Sequence, residues 1–384
     1  MLSYELSEEQ NILRNTVRDF AEEVIKPKAE ELDEKGEFSV DITRQMAELG
    51  LFGMFVSEKY GGSNAGYISY IIAVEELARV DASQAATVAA GNSLGIGPIY
   101  YFGSEKQKKE WLPQLCGGEI LASFGLTEPN AGSDAGASKT SAVLKNGDWV
   151  INGSKIFITN SASEMAGVTI VQTVTGTTPH GKKEISCILV PSDTPGFKKV
   201  KMNKKMMWRA SDTGELYFDD VTVPRENLLG NKGEGFRQML STLDGGRLSI
   251  GAMGLGGAQG AFEEALKYAK EREQFGQPIG KFQINAFKLA DMAMEIEAAR
   301  NMLYKACWMR EEGKDFSKLA AMAKLYCSEV MRRVATEAVQ IHGGYGLMKE
   351  YPVERFFRDQ KLLEIGEGTS EVQRIVISRH LGLK

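Results

Sequence analysis

The sequence predicts an α+β fold in which a β-rich segment separates two helical segments. Apolar residues recur every three or four positions over 7–116 and again from 235 onward, a period typical of packed helices. Over 121–230, short β-branched and aromatic runs alternate with turn residues, which favours strands. We therefore predict three domains: an N-terminal α-helical domain (1–120), a middle antiparallel, β-barrel-like domain (121–232) and a C-terminal four-helix-bundle domain (233–384).

Two helix starts are readable in the first helical segment. Ser7 with Gln10, and Ser104 with Gln107, have the spacing of a capping box. In such a box the hydroxyl and the amide each satisfy a backbone N–H that the first helical turn leaves free. Helices are therefore expected to begin just after Ser7 and Ser104.

The β-rich segment carries both strand and turn signals. Asn146-Gly147 and Asn152-Gly153 are each interpreted as a hairpin or tight turn. The basic run over 198–205 is interpreted as a solvated loop, with a docking patch for an acidic ligand as the alternative. The expected strand cores are 149–151, 155–159, 168–171, 185–190 and 215–218.

Four long helical segments are expected after the β-rich part. The glycine cluster over 251–260 does not follow the G-x-G-x-x-G spacing of a dinucleotide fingerprint, and a helical pattern precedes it where a strand is required. We interpret these glycines as sites of close helix packing. The helical segments lie near 235–272, 281–312, 317–342 and 352–381.

Composition excludes several functional classes. The 384 residues carry a net charge of −5, which argues against nucleic-acid binding. No run approaches the roughly 20 apolar residues of a membrane span, and the acidic start at 1–9 resembles neither a signal peptide nor a transit peptide. Four cysteines and three histidines are scattered, which predicts reduced thiols, no metal site and a cytoplasmic location.

A glutamate between two glycines stands near the C-terminus, in Gly366-Glu367-Gly368-Thr369. No neighbouring side chain shields Glu367, so its carboxylate and backbone N–H can both face a bound molecule, as a general base requires. The alternative is a helix stop at the glycines, followed by a cap at Thr369 and a first-turn acid at Glu371. The motif alone leaves both interpretations open.

A second candidate stretch, Phe124–Asp134, opens the β-rich segment. It combines small residues, hydroxyls and free N–H groups, which suit a flat, polar-edged ring and a phosphate lying close to backbone. A plain surface loop rich in turn formers has the same composition.

Six motifs in order make the chain resemble the acyl-CoA dehydrogenase family over essentially its whole length. The α, β, α layout agrees with this resemblance. The motifs are Phe124–Asp134, Lys155–Asn160, Arg209–Thr213, Arg272–Gly276, Gln340–Gly344 and Glu367–Thr369.

The resemblance implies FAD as the cofactor and an acyl-CoA thioester as the substrate. Residues of the β-rich part would surround the flavin ring, with Thr159 near N5, and Ser133 would lie near the pyrophosphate and the coenzyme A arm. Thr369 and Glu371 would contact the same FAD, while four residues would hold the ADP half of an FAD bound by a neighbouring subunit, which implies a homotetramer built as a dimer of dimers. The ring residues are Phe124, Leu126, Thr127, Phe157 and Thr159; the four shared residues are Arg272, Phe275, Gln340 and Gly344.

The resemblance also assigns substrate contacts and a reaction. Asp244 and Arg247 would contact coenzyme A, although Arg247 could instead be a structural ion-pair partner. Glu367, flanked at the substrate by Gly366 and Gly368, would remove the α-proton while flavin N5 accepts the β-hydride. The Glu367 N–H and a ribityl hydroxyl of FAD would bind the thioester oxygen. A bound acyl chain is expected to raise the pKa of Glu367 by excluding water.

Two features of the sequence bear on which acyl group would bind. Many family members carry tyrosine where this chain has Gly366, so the pocket is expected to be wider and to suit a branched or cyclic acyl group, unless a backbone rearrangement fills the gap. Relatives that place the base elsewhere use the position of Gly246, which cannot compete here. No Arg or Lys occurs over 81–105, where the family lines the acyl end, which favours an uncharged, short to medium acyl group.

Three functional hypotheses follow. The leading one is a dehydrogenase that forms 2-enoyl-CoA and passes electrons to an electron-transferring flavoprotein. The second is an oxidase of the same architecture that uses oxygen, and the third is a non-catalytic relative that binds acyl-CoA or flavin. The presence of Glu367 argues against the third.

Overall fold

The computed structural model describes residues 5–383. Residues 1–4 and Lys384 lie outside the described residues. Part of the predicted leader-free start depends on residues 1–4 and therefore falls outside this range. The α+β prediction is confirmed, with helices before and after one β-rich segment. The first helices are α1 (Glu8–Phe20), α2 (Lys26–Lys35), α3 (Val40–Glu48), α4 (Tyr67–Ala78), α5 (Ala82–Ala90), α6 (Gly97–Phe102) and α7 (Glu105–Cys116).

Both predicted capping boxes are present. The Ser7 hydroxyl accepts from the Gln10 N–H and the Ser7 N–H donates to the Gln10 side chain, and Ser104 pairs with Gln107 in the same way. Helix α4 is buried along nearly its whole length, as an all-round apolar helix must be. It packs on the long helix that follows the sheet, so the two helical parts share one core.

The strands form one sheet in the order β6-β7-β3-β2-β4-β5-β8, with β1 paired to β4. Most neighbours are antiparallel as predicted, but β1 and β2 run parallel to β4. Parallel pairing is possible because these strands are not consecutive in the chain, so no tight hairpin has to join them. The strands are β1 (Leu121–Gly125), β2 (Ser141–Lys145), β3 (Asp148–Thr159), β4 (Ala166–Thr177), β5 (Lys183–Pro191), β6 (Phe197–Lys201), β7 (Thr213–Pro224) and β8 (Leu228–Leu229).

One predicted turn is confirmed and another is wrong. Asn146 and Gly147 both have positive φ and join β2 to β3 as a two-residue hairpin. Asn152-Gly153 lies inside β3, where the pairing with β7 shifts between Ile151 and Gly153 as in a β-bulge. The solvated loop predicted over 198–205 is also partly wrong, because 198–201 belongs to edge strand β6.

The C-terminal helices match three predicted segments, and a turn over 364–369 divides the fourth. The first two helices are separated by a short hairpin. These elements are α8 (Gly235–Glu271), β9 (Glu273–Gln274), β10 (Gln277–Pro278), α9 (Gln283–Glu311), α10 (Ser317–His342), α11 (Val353–Leu363) and α12 (Ser370–His380).

The glycine cluster of α8 packs closely against other helices, as predicted. A Cβ at Gly256 would lie 2.1 Å from the Glu75 carbonyl oxygen of α4, and one at Gly260 would lie 2.0 Å from the Arg79 carbonyl oxygen. Any larger residue would push α4 away, because protein interiors leave no such space.

The four cysteines are free and buried. Among residues 5–383, no cluster of three or more His, Cys, Asp or Glu side chains has the arrangement of a metal site. No described helix combines the length and apolarity that a membrane crossing requires.

Candidate active site

Glu367 lies in the turn between α11 and α12. The Thr369 hydroxyl caps α12 by accepting from the Val372 N–H at 3.3 Å, so the helix stop and cap considered above are present. Glu367 itself has a φ of 51° and Gly368 a φ of 95°. A left-handed backbone is uncommon for a residue with a side chain, and such strain concentrates at functional sites. The capped turn and the functional glutamate are therefore compatible.

The Glu367 carboxylate points inward onto α8. Its Oε2 is buried and has no hydrogen-bond partner among the described residues. Gly246 forms the surface beneath it, because a Cβ at that position would lie 1.8 Å from Oε2. Burial raises the pKa of Glu367 to about 7, although the charges of Lys324 and Arg247 act to lower it. A carboxyl group with this pKa can accept a proton near neutral pH.

Lys324 supports the Glu367 turn from α10. Its ammonium group donates to the Gly368 carbonyl oxygen at 2.8 Å, and the residue is fully buried. Burial lowers the pKa of Lys324 to about 8, while the negative charge of Glu367 raises it. Lys324 was not predicted as a site residue from the sequence. The available signal was a lysine on the apolar face of α10, where an unpaired charge is costly.

Asp244 and Arg247 form an ion pair one turn apart on α8. Asp244 also accepts from the Ser317 hydroxyl at 3.0 Å, which ties α8 to the start of α10. Arg247 is only 4% exposed, and its Nε has no hydrogen-bond partner among the described residues. The structural ion pair considered as an alternative is present, and it leaves one buried donor free beside Glu367.

The loop after β1 is held against β3. The Lys155 ammonium, fully buried, donates to the Leu126 carbonyl at 3.0 Å and to the Glu128 carboxylate at 2.8 Å. The Ile156 N–H donates to the Thr127 carbonyl at 2.9 Å. Burial acts to raise the pKa of Glu128, but hydrogen bonds, first from Lys155, lower it to about 2. The loop is therefore fixed by a buried charge and is not a plain surface loop.

This network joins the loop that contains Leu126 and Thr127 to β3, the strand that contains Phe157 and Thr159. Phe124 is buried in β1, and Leu126 and Thr127 follow it against β3. Phe157 has a φ of 63° and a side chain that is 63% exposed, and Thr159 ends the same strand. Ser133 is exposed farther along the loop. An exposed phenylalanine on a strained backbone, beside ordered loop carbonyls, suits contact with a flat ring.

A second group of predicted residues lies elsewhere. Arg272 ends α8 and stacks on Tyr345 at 5.5 Å, next to Gly344. Phe275 tips the β9–β10 hairpin with a φ of 54° and 94% exposure, and Gln340 is exposed near the end of α10. Within residues 5–383, no hydrogen bond or ion pair joins these residues to Glu367. The Phe275 ring is therefore accessible to another molecule.

Glu371 and Gly366, on either side of the Glu367 turn, are two further predicted site residues. Glu371 is exposed in the first turn of α12, and the pKa of its carboxyl is lowered, first by a backbone hydrogen bond and then by one to Thr369. Gly366 has no positive φ, and a Cβ there would meet only Leu362, at 3.4 Å or more. Neither the backbone nor steric crowding at Cβ therefore requires glycine at position 366.

Family models match three consecutive parts of the chain. They are the acyl-CoA dehydrogenase N-terminal domain over 7–119, the middle domain over 123–221 and the C-terminal domain over 233–382. The chain belongs to the acyl-CoA dehydrogenase family. The probable acyl-CoA dehydrogenase YngJ of Bacillus subtilis is 52% identical over 99% of this chain and 100% of its own length.

Solved structures agree with this assignment. Butyryl-CoA dehydrogenase from Megasphaera elsdenii matches with a TM-score of 0.96 and 45% identity, over 99% of this chain and 100% of that one. A chain described with the electron transferring flavoprotein of Acidaminococcus fermentans has the same TM-score and identity, over 99% of both chains. Glutaryl-CoA dehydrogenase from Mycobacterium smegmatis in complex with FADH2 has a TM-score of 0.93 and 31% identity, over 98% of this chain and 95% of that one.

Family membership makes the protein an oxidoreductase of the acyl-CoA dehydrogenase class. The geometry of its site suits the acceptance of a proton. Glu367 Oε2 is a buried acceptor with no protein partner and a pKa raised to about 7, which is what proton abstraction requires.

Proposed function

We propose that this protein catalyses the FAD-dependent α,β-dehydrogenation of an acyl-CoA thioester to the 2-enoyl-CoA, with Glu367 as the base. The observation that carries the proposal is the unpartnered Glu367 Oε2, held over Gly246 by a capped, left-handed turn. A proton acceptor in this position needs no rearrangement before reaction.

The residues around Glu367 prepare it to accept the proton. Lys324 fixes the Gly368 carbonyl, so the turn keeps the carboxylate pointed at α8. The positive charges of Lys324 and Arg247 keep the pKa of Glu367 from rising further, so that a large fraction is ionised near pH 7. When the proton arrives on Oε2, the neutral acid is the form that the buried site favours.

FAD fits the arrangement of the loop and β3. Leu126, Thr127, Phe157 and Thr159 would hold the flavin ring, together with Phe124, and Ser133 would lie toward the pyrophosphate. When bound, FAD supplies the acceptor for the β-hydride. Lys155 fixes the Leu126 carbonyl and the Ile156 N–H fixes that of Thr127 before any cofactor arrives, which lowers the entropy cost of binding.

Coenzyme A would be bound at Asp244 and Arg247, about three turns into α8. The free Arg247 Nε is a buried donor suited to an anionic or carbonyl oxygen, and Asp244 holds the guanidinium in place. Gly366 and Gly368 would line the acyl group beside Glu367, and the absence of a side chain at Gly366 would favour a branched or cyclic chain. We propose short to medium acyl groups, in line with the butyryl-CoA dehydrogenase that this chain resembles.

The exposed group around Arg272 and Phe275 would bind the ADP half of an FAD held by a neighbouring subunit, together with Gln340 and Gly344. Thr369 and Glu371 would meet the same FAD close to the base. This sharing requires an assembly of subunits, and we propose a homotetramer. An electron-transferring flavoprotein is the proposed acceptor, in line with the resemblance to the Acidaminococcus fermentans chain.

The proposal is tested by loading the purified protein with FAD and adding butyryl-CoA and branched or cyclic thioesters without oxygen. We expect loss of the oxidised flavin absorbance, formation of the 2-enoyl-CoA, and recovery of absorbance when an electron-transferring flavoprotein is added. A protein that binds no FAD, or whose flavin stays oxidised with every thioester, would contradict the proposal. Recovery with oxygen but not with the flavoprotein would identify an oxidase instead.

A further inference from the structure

Arg310, near the end of α9, places a cation beside the part of α8 against which the Glu367 carboxylate packs. A Cβ at Gly245 would lie 2.4 Å from Arg310 Nη1, just as one at Gly246 would lie 1.8 Å from Glu367 Oε2. Consecutive Cα atoms are about 3.8 Å apart, so the two charged groups are separated by at most about 11 Å. Two neighbouring glycines thus leave room for an acid and a cation at adjacent positions of α8.

Aromatic rings surround the Arg310 guanidinium. Its Cζ lies 3.8 Å from the ring centre of Tyr67, 5.7 Å from that of Tyr101 and 5.3 Å from that of Phe316. Arg310 Nη2 donates to the Tyr101 hydroxyl at 3.3 Å. The ring faces stabilise the cation, but they offer nothing to the N–H groups that lie in the guanidinium plane.

Arg310 Nη1 has no acceptor. It is buried without a hydrogen-bond partner, and no carboxylate of residues 5–383 forms an ion pair with Arg310. The adjacent Glu311 carboxylate accepts from the Ile68 N–H at 2.9 Å instead. A buried donor on a charged group costs more unpaired than a neutral one, so a ligand oxygen would gain strongly by pairing with it.

We infer that Arg310 Nη1 binds an oxygen atom at the far end of the acyl group, so that the protein prefers acyl-CoA thioesters ending in a carboxylate or hydroxyl. This inference rests on the proposed function. An uncharged acyl group was expected because 81–105 contains no Arg or Lys. Tyr101, which lies in that window, contacts a cation supplied by α9, which the local sequence could not reveal. The separation from Glu367 limits the ligand to a short chain.

The test uses the FAD-loaded Glu367→Gln protein, which is expected to bind thioesters without converting them. Calorimetry would compare three five-carbon thioesters: glutaryl-CoA, ω-hydroxyvaleryl-CoA and valeryl-CoA. We expect at least one of the two polar-ended thioesters to bind about tenfold or more tightly than valeryl-CoA. Preference for glutaryl-CoA alone would identify the ligand group as a carboxylate, and preference for both would identify an oxygen acceptor of either charge.

Two variants in the same background assign the preference to Arg310. Arg310→Met removes the donor, and Gly245→Ala leaves the charge but displaces Nη1, with which the new Cβ would collide. Each is expected to reduce the preference to about threefold or less. If Arg310→Met does not fold, Gly245→Ala decides.

Either of two results would overturn the inference alone: equal or tighter binding of valeryl-CoA by the parent, or an undiminished preference in the variants. Failure of all three thioesters to bind, with no flavin bleaching in the wild type, would overturn the proposed function as well. The two kinds of failure are therefore distinguishable.

Discussion

Gly246→Ala is expected to disable the site without destabilising the fold. Gly246 lies in the interior of α8 and has no positive φ, so alanine suits the backbone there. Replacing a helical glycine with alanine favours the helix by about 1 kcal/mol. The added methyl group, however, would lie 1.8 Å from Glu367 Oε2.

The size of the effect follows from that distance. Ordinary contact begins near 3.4 Å, so the carboxylate must retreat by about 1.6 Å. A misplacement of about 1 Å can cost about 100-fold in rate. We therefore expect at least about a 100-fold loss in the rate of flavin reduction at saturating substrate, with a melting temperature equal to or above that of the wild type.

Stopped-flow absorbance without oxygen measures that rate in a single turnover. Gly251→Ala is the matched control, because its new Cβ would meet only the Leu303 methyl group closely, at 3.1 Å. Saturating substrate separates a displaced base from hindered binding, which would raise KM instead. A Gly246→Ala protein that reduces its flavin within threefold of the wild-type rate would refute this placement of Glu367.

Three further predictions concern charge. Lys324→Met removes a cation that lowers the pKa of Glu367, so the rising limb of kcat/KM against pH should move from about 7 to higher pH. The surface variant Lys361→Met is the control and should leave the limb in place. An unmoved limb in Lys324→Met would contradict the assignment of that limb to Glu367. The folded-state pKa of Glu367 is raised from 4.5 to about 7, so its stabilising contribution is present below 4.5 and is lost as pH rises through 7. Glu367→Gln should therefore stabilise the protein more at pH 8 than at pH 5, by on the order of 1–3 kcal/mol in chemical denaturation, and an equal effect at both pH values would count against a buried carboxylate. Lys155→Met should weaken FAD retention and lower stability by about 3 kcal/mol, because it frees the Leu126 carbonyl and leaves the buried Glu128 carboxylate without its counter-charge. Unchanged cofactor affinity and melting temperature would show that the loop does not depend on this lysine.

Local chemistry made much of the fold predictable. The Ser7 capping box and the Asn146-Gly147 hairpin depend on residues within four positions of one another, and both form as expected. Asn152-Gly153 has the same composition as a hairpin turn, yet tertiary contacts decide its role. A Cβ at Gly153 would lie 2.6 Å from the Thr140 hydroxyl, so this glycine permits close approach inside a strand.

Some features of the candidate site could also be predicted from neighbouring residues, and others depend on tertiary contacts. Glu367 stood out because its flanking glycines are adjacent in sequence, and the structure places its carboxylate in a buried site. Lys324 reaches the Gly368 carbonyl across 44 residues, and Arg310 reaches Tyr101 across 209. Such pairings depend on how helices pack, which periodicity within one helix does not specify. Long-range positioning of charge was therefore the part that required a structure.

The rate of flavin reduction by butyryl-CoA in Glu367→Gln tests most directly whether Glu367 is the proton acceptor. Glu364→Gln is the matched control, since the Glu364 carboxylate is already paired, with Arg332 at 3.0 Å and with Lys361 at 2.8 Å. We expect Glu367→Gln to retain FAD and to lose at least about 100-fold in rate, with Glu364→Gln within a few-fold of the wild type. A Glu367→Gln protein whose flavin is reduced as fast as the wild type would contradict the account.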